Sequence, residues 1–166
     1  MPSGRVHEAL NLTALGLGSL AYLALGGSPE DPRALAFALA YLAGTFLLSP
    51  DLDLAEKEVR ARRRWGLLGL LWRPYGWLFR HRGLSHTWIL GPLTRLGYLG
   101  GLLALLGGLV QGVLGFLGVE VQFRPPSFGL EALGFGLLGY YLSQWLHLVA
   151  DGIWPDHDLK RFRRPR

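Results

Sequence analysis

Residues 96–119 have the sequence LGYLGGLLALLGGLVQGVLGFLGV, a run without a single charged side chain. A helix needs about 20 apolar residues to cross the hydrocarbon core of a bilayer, and a buried soluble helix rarely stays apolar on all of its faces for so long. Three further uncharged runs reach comparable lengths. We therefore predict an all-α protein, a polytopic membrane helix bundle whose transmembrane helices, about four in number, lie at residues 9–27, 34–50, 89–119 and 132–150.

The composition agrees with a membrane protein of one domain. The chain has 166 residues, half of them hydrophobic and 24 of them glycine. That length is typical of a single domain, here residues 1–166, and small residues let membrane helices pack closely. Because the chain has no cysteine, disulfides and thiolate metal sites are excluded.

The first apolar run has an alternative interpretation as a cleaved signal peptide. The segment before it carries only Arg5 as a fixed positive charge, together with His7 and Glu8, whereas a signal peptide begins with a clearly basic region. This favours a retained helix. N-terminal sequencing of the mature protein distinguishes the two interpretations, because cleavage near Gly27 would remove His7.

Positive charge is concentrated on one side of the four predicted helices. Of the loop residues on the other side, only Arg33 and Arg124 are basic. The positive-inside rule then predicts a multi-pass protein of the inner (plasma) membrane with both termini cytoplasmic. On the basic side, residues 54–84 are expected to form an interfacial segment with tryptophans at headgroup level, and the basic tail at 156–166 is expected to anchor the orientation.

Histidine and aspartate side chains gather at one end of the predicted helices. Since successive spans alternate in direction, these ends converge on the cytoplasmic face. His147 and Asp151 have i,i+4 spacing and so share one helix face. Asp51 and Asp53 are so close in sequence that their carboxylates repel each other unless a cation or an arginine lies between them. The predicted metal ligands are His7, Asp51, Asp53, His81, His86, His147 and Asp151.

Each of these motifs also has a simpler interpretation when it is taken alone. His147 can be a helix-end histidine near a capping aspartate, and the Asp-x-Asp pair can be a solvated loop. The joint distribution favours a metal site, because the opposite loops contain carboxylates but no histidine. His157, flanked by two aspartates, is left out of the ligand set as a surface residue. Imidazole and carboxylate donors favour one or two transition-metal ions, zinc first and manganese or iron as alternatives, over calcium.

A metal site at a membrane surface suggests hydrolysis. Bound ions would lower the pKa of a bridging water and clamp a phosphoryl oxygen. Glu8 or one of the aspartates is the candidate general base, Arg82 the candidate phosphate-binding residue, with Arg80 or Arg95 as alternatives, and Ser85 a hydrogen-bonding partner within the site. The basic face would concentrate an anionic lipid or lipid-linked phosphate substrate rather than nucleic acid. Self-association into a homo-oligomer is left open.

The alternative function is a non-catalytic metal-binding membrane protein, a sensor or scaffold. A transporter is disfavoured, because it should carry polar ligands through the membrane midplane, where the predicted spans are almost purely apolar. A closed coordination sphere would favour the sensor or scaffold over the hydrolase.

Five motifs in order carry a resemblance to a known family. They are MPSGRVH at 1–7, SPDLD at 49–53, WRPY at 72–75, HRGLSH at 81–86, and His147 followed by Asp151. Together they resemble an uncharacterised bacterial family of metal-binding membrane proteins, which looks like a branch of the inner-membrane metal-dependent hydrolases. The resemblance implies metal binding and hydrolase activity without a defined substrate. The order of ligands is also similar to that of zinc-dependent bacterial phospholipases C, although their amino-terminal tryptophan ligand has no counterpart here.

Overall fold

The computed structural model describes residues 3–54, 59–79, 83–119 and 129–155, and the prediction of an all-helical chain is confirmed for them. These residues form six α-helices and three short 3₁₀ helices. The α-helices are α1 (Gly4–Ala24), α2 (Pro32–Phe46), α3 (Arg60–Arg64), α4 (Arg73–Leu78), α5 (Leu90–Phe116) and α6 (Leu130–Ala150). The 3₁₀ helices are Pro50–Asp53, Gly66–Trp72 and Leu84–His86.

Helices α2 and α6 form the closest helix pair of the structure. A Cβ atom at Gly139 would collide with the carbonyl group of Phe37, and one at Gly44 would collide with the Ser143 hydroxyl group. Glycine at both positions lets the two helices approach closely, and at Gly139 the facing atoms are backbone, which cannot rotate away from a Cβ. This pair carries the last turn of α6, and with it His147, to the end of α2.

The ends of α2 explain why the second apolar run does not continue as one helix. Asp31 caps the start by accepting a hydrogen bond from the Arg33 backbone N–H at 2.9 Å, and Pro32 occupies the first helical position, where its missing N–H costs nothing. The helix ends at Phe46, and Ser49 accepts a hydrogen bond from the Asp51 N–H at the start of the 3₁₀ helix Pro50–Asp53. That 3₁₀ helix fixes both aspartates beside the end of α6.

Aromatic residues from the predicted interfacial segment contribute to the core. Trp72 and Tyr75 are 1% and 0% exposed and pack with Leu52 and Tyr140. Trp77, by contrast, is exposed. Trp72 and Tyr75 therefore cover the bundle end with buried rings, because the bends around Gly66–Trp72 and α4 turn these rings inward.

The prediction of a four-span membrane bundle is wrong. Among the described residues, only α5 is long and apolar enough to cross a membrane, by length and composition, with a mean hydropathy of 1.9 in its most apolar window and none of that window buried. Helix α2 has 15 residues, or about 22 Å at 1.5 Å per residue, against about 30 Å of hydrocarbon. Helices α1 and α6 are each 21 residues long, but polar side chains lower their hydropathy.

Those polar side chains have a structural reason. In α1 the buried residues are His7 and Asn11, and in α6 they include Ser143, Gln144 and His147. The two helices therefore meet through polar groups near one end, while the rest of α1 is largely exposed. The polar contact surface that disqualifies α1 and α6 as apolar spans is the same surface that builds the candidate site.

Candidate metal centre

His7, His147 and Asp151 form a compact cluster at the end of the α1–α6 contact. One nitrogen or oxygen atom from each lies within 4.8 Å of the other two. Nε2 of His7 is 3.2 Å from Oδ1 of Asp151, and Nε2 of His147 is 3.6 Å from Oδ2 of the same carboxylate. The two imidazole rings stack with centroids 3.9 Å apart and planes inclined by 12°. Residues separated by most of the chain thus share one small volume.

Hydrogen bonds hold α1 in the position that this cluster requires. Asn11, one turn after His7, donates to the Ser143 carbonyl of α6 at 3.3 Å and accepts from the Tyr41 hydroxyl of α2 at 2.9 Å. Both polar ends of the Asn11 amide are therefore engaged by the fold. Asn11 thus links α1 to α2 and α6.

Several nitrogen and oxygen atoms of the cluster lack a hydrogen-bond partner and could coordinate a metal ion. Nδ1 of His7, Nε2 of His147 and both carboxylate oxygens of Asp151 are buried without a hydrogen-bond partner. Buried polar atoms are nearly always hydrogen-bonded in native proteins, so an unsatisfied group of two imidazoles and one carboxylate indicates a missing partner. Two histidines and a carboxylate with open coordination positions suit zinc, manganese or iron.

Protonation in the cluster also favours metal binding. Burial, with the neighbouring His7, lowers the pKa of His147 to about 3, so its ring is neutral and keeps a lone pair at physiological pH. Burial opposes ionisation of Asp151, but the nearby imidazoles of His7, His147 and His86 hold its pKa below the ordinary value. A neutral imidazole and an ionised carboxylate are the forms that coordinate a cation.

Asp51 lies at the edge of the cluster. Its Oδ1 is 3.8 Å from Nε2 of His147, and its side chain is 24% exposed. Burial raises the pKa of Asp51 above its usual value. A cavity of about 200 Å³ opens beside it, with His7, Asp51, His147 and Arg60 in the wall. The site is therefore open on the Asp51 side.

Asp53 and His86 form a separate buried pair. Nδ1 of His86 is 3.0 Å from Oδ2 of Asp53, and the Ser85 hydroxyl donates to the same oxygen. All three residues are at most 2% exposed. The Asp53 carboxylate thus holds the His86 ring and Ser85 in place, as carboxylates that orient metal-bound histidines do. Among the described residues, the group of potential ligands is His7, His147 and Asp151, and it includes neither Asp53 nor His86.

Arg95 connects this pair to the helices and has no access to solvent. Its guanidinium group donates to the Ser85 carbonyl at 2.7 Å and to the Gln144 side chain at 2.9 Å, and Gln144 in turn donates to the Gly44 carbonyl at 3.0 Å. Arg95 is 0% exposed. The expectation that Arg95 holds a substrate phosphate is therefore not met, because the side chain is fully buried and its Nη1 and Nη2 already brace α5, α6 and the turn before α5.

Glu8 is engaged by two arginines that the sequence did not single out. Arg60 and Arg64 each donate two hydrogen bonds to its carboxylate, at 2.7–3.0 Å. Partial burial opposes ionisation, yet these guanidiniums hold the pKa of Glu8 below its usual value. A carboxylate held in this way is a poor proton acceptor near neutral pH. The i,i+4 spacing of Arg60 and Arg64 within a charged run was the available signal, since it places both on one helix face.

Three predicted participants, and His157, which was left out of the ligand set, lie outside the described residues. His81 and Arg82 from the predicted site, the alternative phosphate ligand Arg80, and His157 belong to segments that the structure does not describe. The predicted set is therefore placed in three parts: His7, His147 and Asp151 in the cluster, Asp51 at its edge, and Asp53, Ser85 and His86 in the adjoining buried group.

Comparisons with known proteins agree with a metal centre. The chain is similar to an uncharacterized protein of Aquifex aeolicus (strain VF5), with 41% identity over 133 residues that cover 74% of this chain and 92% of the relative. No solved structure matches the chain. The model of the family described as "Uncharacterized metal-binding protein (DUF2227)" matches residues 2–161. A match over nearly the whole chain, with a buried His/His/Asp cluster inside it, means that this protein belongs to the DUF2227 family of metal-binding proteins.

Proposed function

We propose that the protein is a metal-dependent hydrolase that cleaves a phosphoester at the His7–His147–Asp151 cluster. The observation that carries the proposal is the open cavity of about 200 Å³ whose wall includes His7, His147 and Asp51. Structural metal sites are closed by protein ligands, whereas catalytic sites keep a position open for water or substrate. Three ligands on one side and a cavity on the other correspond to the catalytic arrangement.

His7, His147 and Asp151 would hold the ion, with zinc the leading candidate and manganese or iron the alternatives. A bound divalent ion would supply Lewis acidity that polarises a phosphoryl oxygen and activates water. Asp51 borders the cavity and is partly exposed, so its carboxylate can orient a water molecule and accept its proton. Asp53 would contribute indirectly, by holding the His86 ring at 3.0 Å.

We also propose that the protein acts at the cytoplasmic face of the inner membrane. Helix α5 supports membrane attachment, because it is 27 residues long and its most apolar window is entirely unburied. The arginines of α3 support a basic surface beside the site, which anionic lipid would attract. Fractionation tests this: the protein should stay with membranes after an alkaline wash, and its release into the supernatant would contradict attachment through α5.

Metal content and turnover together test the hydrolase. Purified wild-type protein should retain metal by elemental analysis and hydrolyse p-nitrophenyl phosphate or a phospholipid. His147→Ala and Asp151→Ala should lose both metal and activity, whereas Asp51→Asn should keep the metal and lose turnover. Asp31→Asn is the matched control, because Asp31 caps α2 at the opposite end and pairs with Arg33.

The outcomes separate catalysis from binding alone. Wild-type protein that neither retains nor rebinds metal would contradict the metal centre. Protein that holds metal in the His147-dependent manner but hydrolyses no phosphoester would instead fit the alternative, a non-catalytic metal-binding sensor or scaffold.

A further inference from the structure

Two guanidinium groups share one carboxylate at the mouth of the candidate site. Arg60 uses Nε and Nη2, and Arg64 uses Nη1 and Nη2, to bind both oxygens of Glu8. One negative charge therefore faces two positive charges, so these three side chains together carry one net positive charge. Arginine forks of this kind bind carboxylate and phosphate oxygens through paired hydrogen bonds.

The two arginines are placed differently. Arg64 lies over the Phe46 ring, with its guanidinium carbon 4.4 Å from the ring centroid, which fixes it against α2. Arg60 belongs to the wall of the cavity that also contains His7 and His147, and its side chain is 44% exposed. Arg60 is thus the cation that a ligand in the cavity can reach, whereas Arg64 anchors Glu8.

The charge balance of the pocket gives a reason for two arginines to lie beside a metal site. In the absence of a cation, the carboxylates of Glu8, Asp51 and Asp151 outnumber Arg60 and Arg64 by one. A divalent ion reverses the sign of the pocket and leaves it with a positive charge. An anion that bridges the ion and Arg60 would restore neutrality, which favours an anionic ligand over a neutral ester.

We infer that Arg60 and the metal centre together form a phosphate-binding site, in which Glu8 holds the guanidinium until a phosphoryl group competes for it. This inference rests on the proposed hydrolase and names its substrate class: compounds with an accessible anionic phosphoryl group. The ligand can be a free phosphate ester or the headgroup of an anionic lipid such as phosphatidic acid. Both offer the same phosphoryl oxygens to the same donors.

The variant Glu8→Gln distinguishes a purely structural role of the arginines from a phosphate-binding role, because the two roles predict opposite changes in phosphate affinity. If Arg60 and Arg64 only tie α3 to α1 through Glu8, then Glu8→Gln should loosen the site and weaken ligand binding. If Glu8 competes with phosphate for Arg60, the same substitution should tighten phosphate binding, because it removes the competing charge while it keeps the side-chain shape.

The test is a phosphate titration of the metal-loaded full chain by isothermal calorimetry. Arg60→Gln should weaken binding of inorganic phosphate about tenfold or more, a difference of about 1.4 kcal/mol, and Glu8→Gln should strengthen it. Metal content should be unchanged in both variants. Arg33→Gln is the matched control, since Arg33 also pairs with a carboxylate, Asp31 at 3.0 Å, but at the opposite end of α2. It should bind phosphate as the wild type does.

A second arm uses vesicles of phosphatidylcholine with and without phosphatidic acid. Arg60-dependent binding of either probe supports the site, and the tighter probe identifies the source of the phosphoryl group. Wild-type affinity in Arg60→Gln, an equal loss in Arg33→Gln, or no binding of either probe by metal-loaded wild type would overturn the inference. If Arg60→Gln does not fold, weaker phosphate binding in Glu8→Gln overturns it and tighter binding supports it.

Failure of this inference is distinguishable from failure of the hydrolase. Arg60-dependent phosphate binding without hydrolysis would leave the anion site standing and refute catalysis. Hydrolysis with a KM that is unchanged in Arg60→Gln would support the hydrolase and refute the anion site, because turnover would then proceed without the proposed contact to Arg60.

Discussion

The substitution Asp151→Asn tests how much a bound metal ion stabilises the fold. Asp151 is the carboxylate of the cluster, its side chain is 1% exposed, and neither of its oxygens has a hydrogen-bond partner. Asparagine keeps its shape but lacks the charge that holds a cation. We therefore expect metal-dependent stabilisation to disappear in this variant, while the metal-free protein stays about as stable as the metal-free wild type.

The magnitude follows from linkage. An ion that binds only the folded state stabilises it by about 2.7 kcal/mol when the free ion is at 100 times its Kd. For a chain of this size, 1 kcal/mol corresponds to roughly 2–4 °C in Tm, so metal should raise the wild-type Tm by about 5–10 °C. Without metal, the like charges of Asp51 and Asp151 oppose each other, and neutralising one should change the Tm by no more than about 4 °C.

The assay is thermal unfolding in detergent, followed by circular dichroism, with EDTA and with added zinc. Asp31→Asn serves as the control and should show the full metal-induced shift, because Asp31 lies at the far end of α2. A full shift in Asp151→Asn, or no shift in the wild type, would refute the assignment of Asp151 as a ligand.

Two further predictions concern the packing that positions the site. Gly139→Ala should destabilise the fold by about 1–3 kcal/mol, because its Cβ would collide with the facing α2 backbone. The control is Gly136→Ala, whose Cβ would have only ordinary contacts at 3.7–3.8 Å. This control should have little effect on the denaturation curve that measures both variants. Gln144→Ala should cost about 2–3 kcal/mol, since it removes one of the two acceptors of the fully buried Arg95. Chemical unfolding measures this loss against Gln111→Ala on exposed α5, and equal losses in the two variants would contradict the bracing role.

The helical character of the chain could be predicted from hydropathy, but the number of spans could not. Uncharged runs gave helices close to the expected bounds, for example residues 132–150 against Leu130–Ala150. Counting charges treated Asn11 and Gln144 as compatible with a lipid-facing span. The structure buries these side chains against other helices, so an absence of charge did not mean an apolar surface.

The candidate site could be predicted only in part, because some of its residues are neighbours on one helix and others meet only through helix packing. His147 and Asp151 share one helix, and their i,i+4 spacing is enough to pair them. His7 joins them only because the Asn11 amide fastens α1 to α2 and α6. The different roles of Asp51 and Asp53, two residues apart, depend on the 3₁₀ helix that directs one toward the cavity and the other toward His86.

The amino-acid sequence by itself determined the helical class, the long apolar α5 and the chemistry of the donors, since these depend on residue type and local spacing alone. Only the tertiary structure decided which donors meet. Contacts between residues far apart in the chain placed His7 beside Asp151, set Arg60 and Arg64 beside Glu8, and closed Arg95 off from solvent. Such distances depend on how the helices pack, and no periodicity in the chain encodes them.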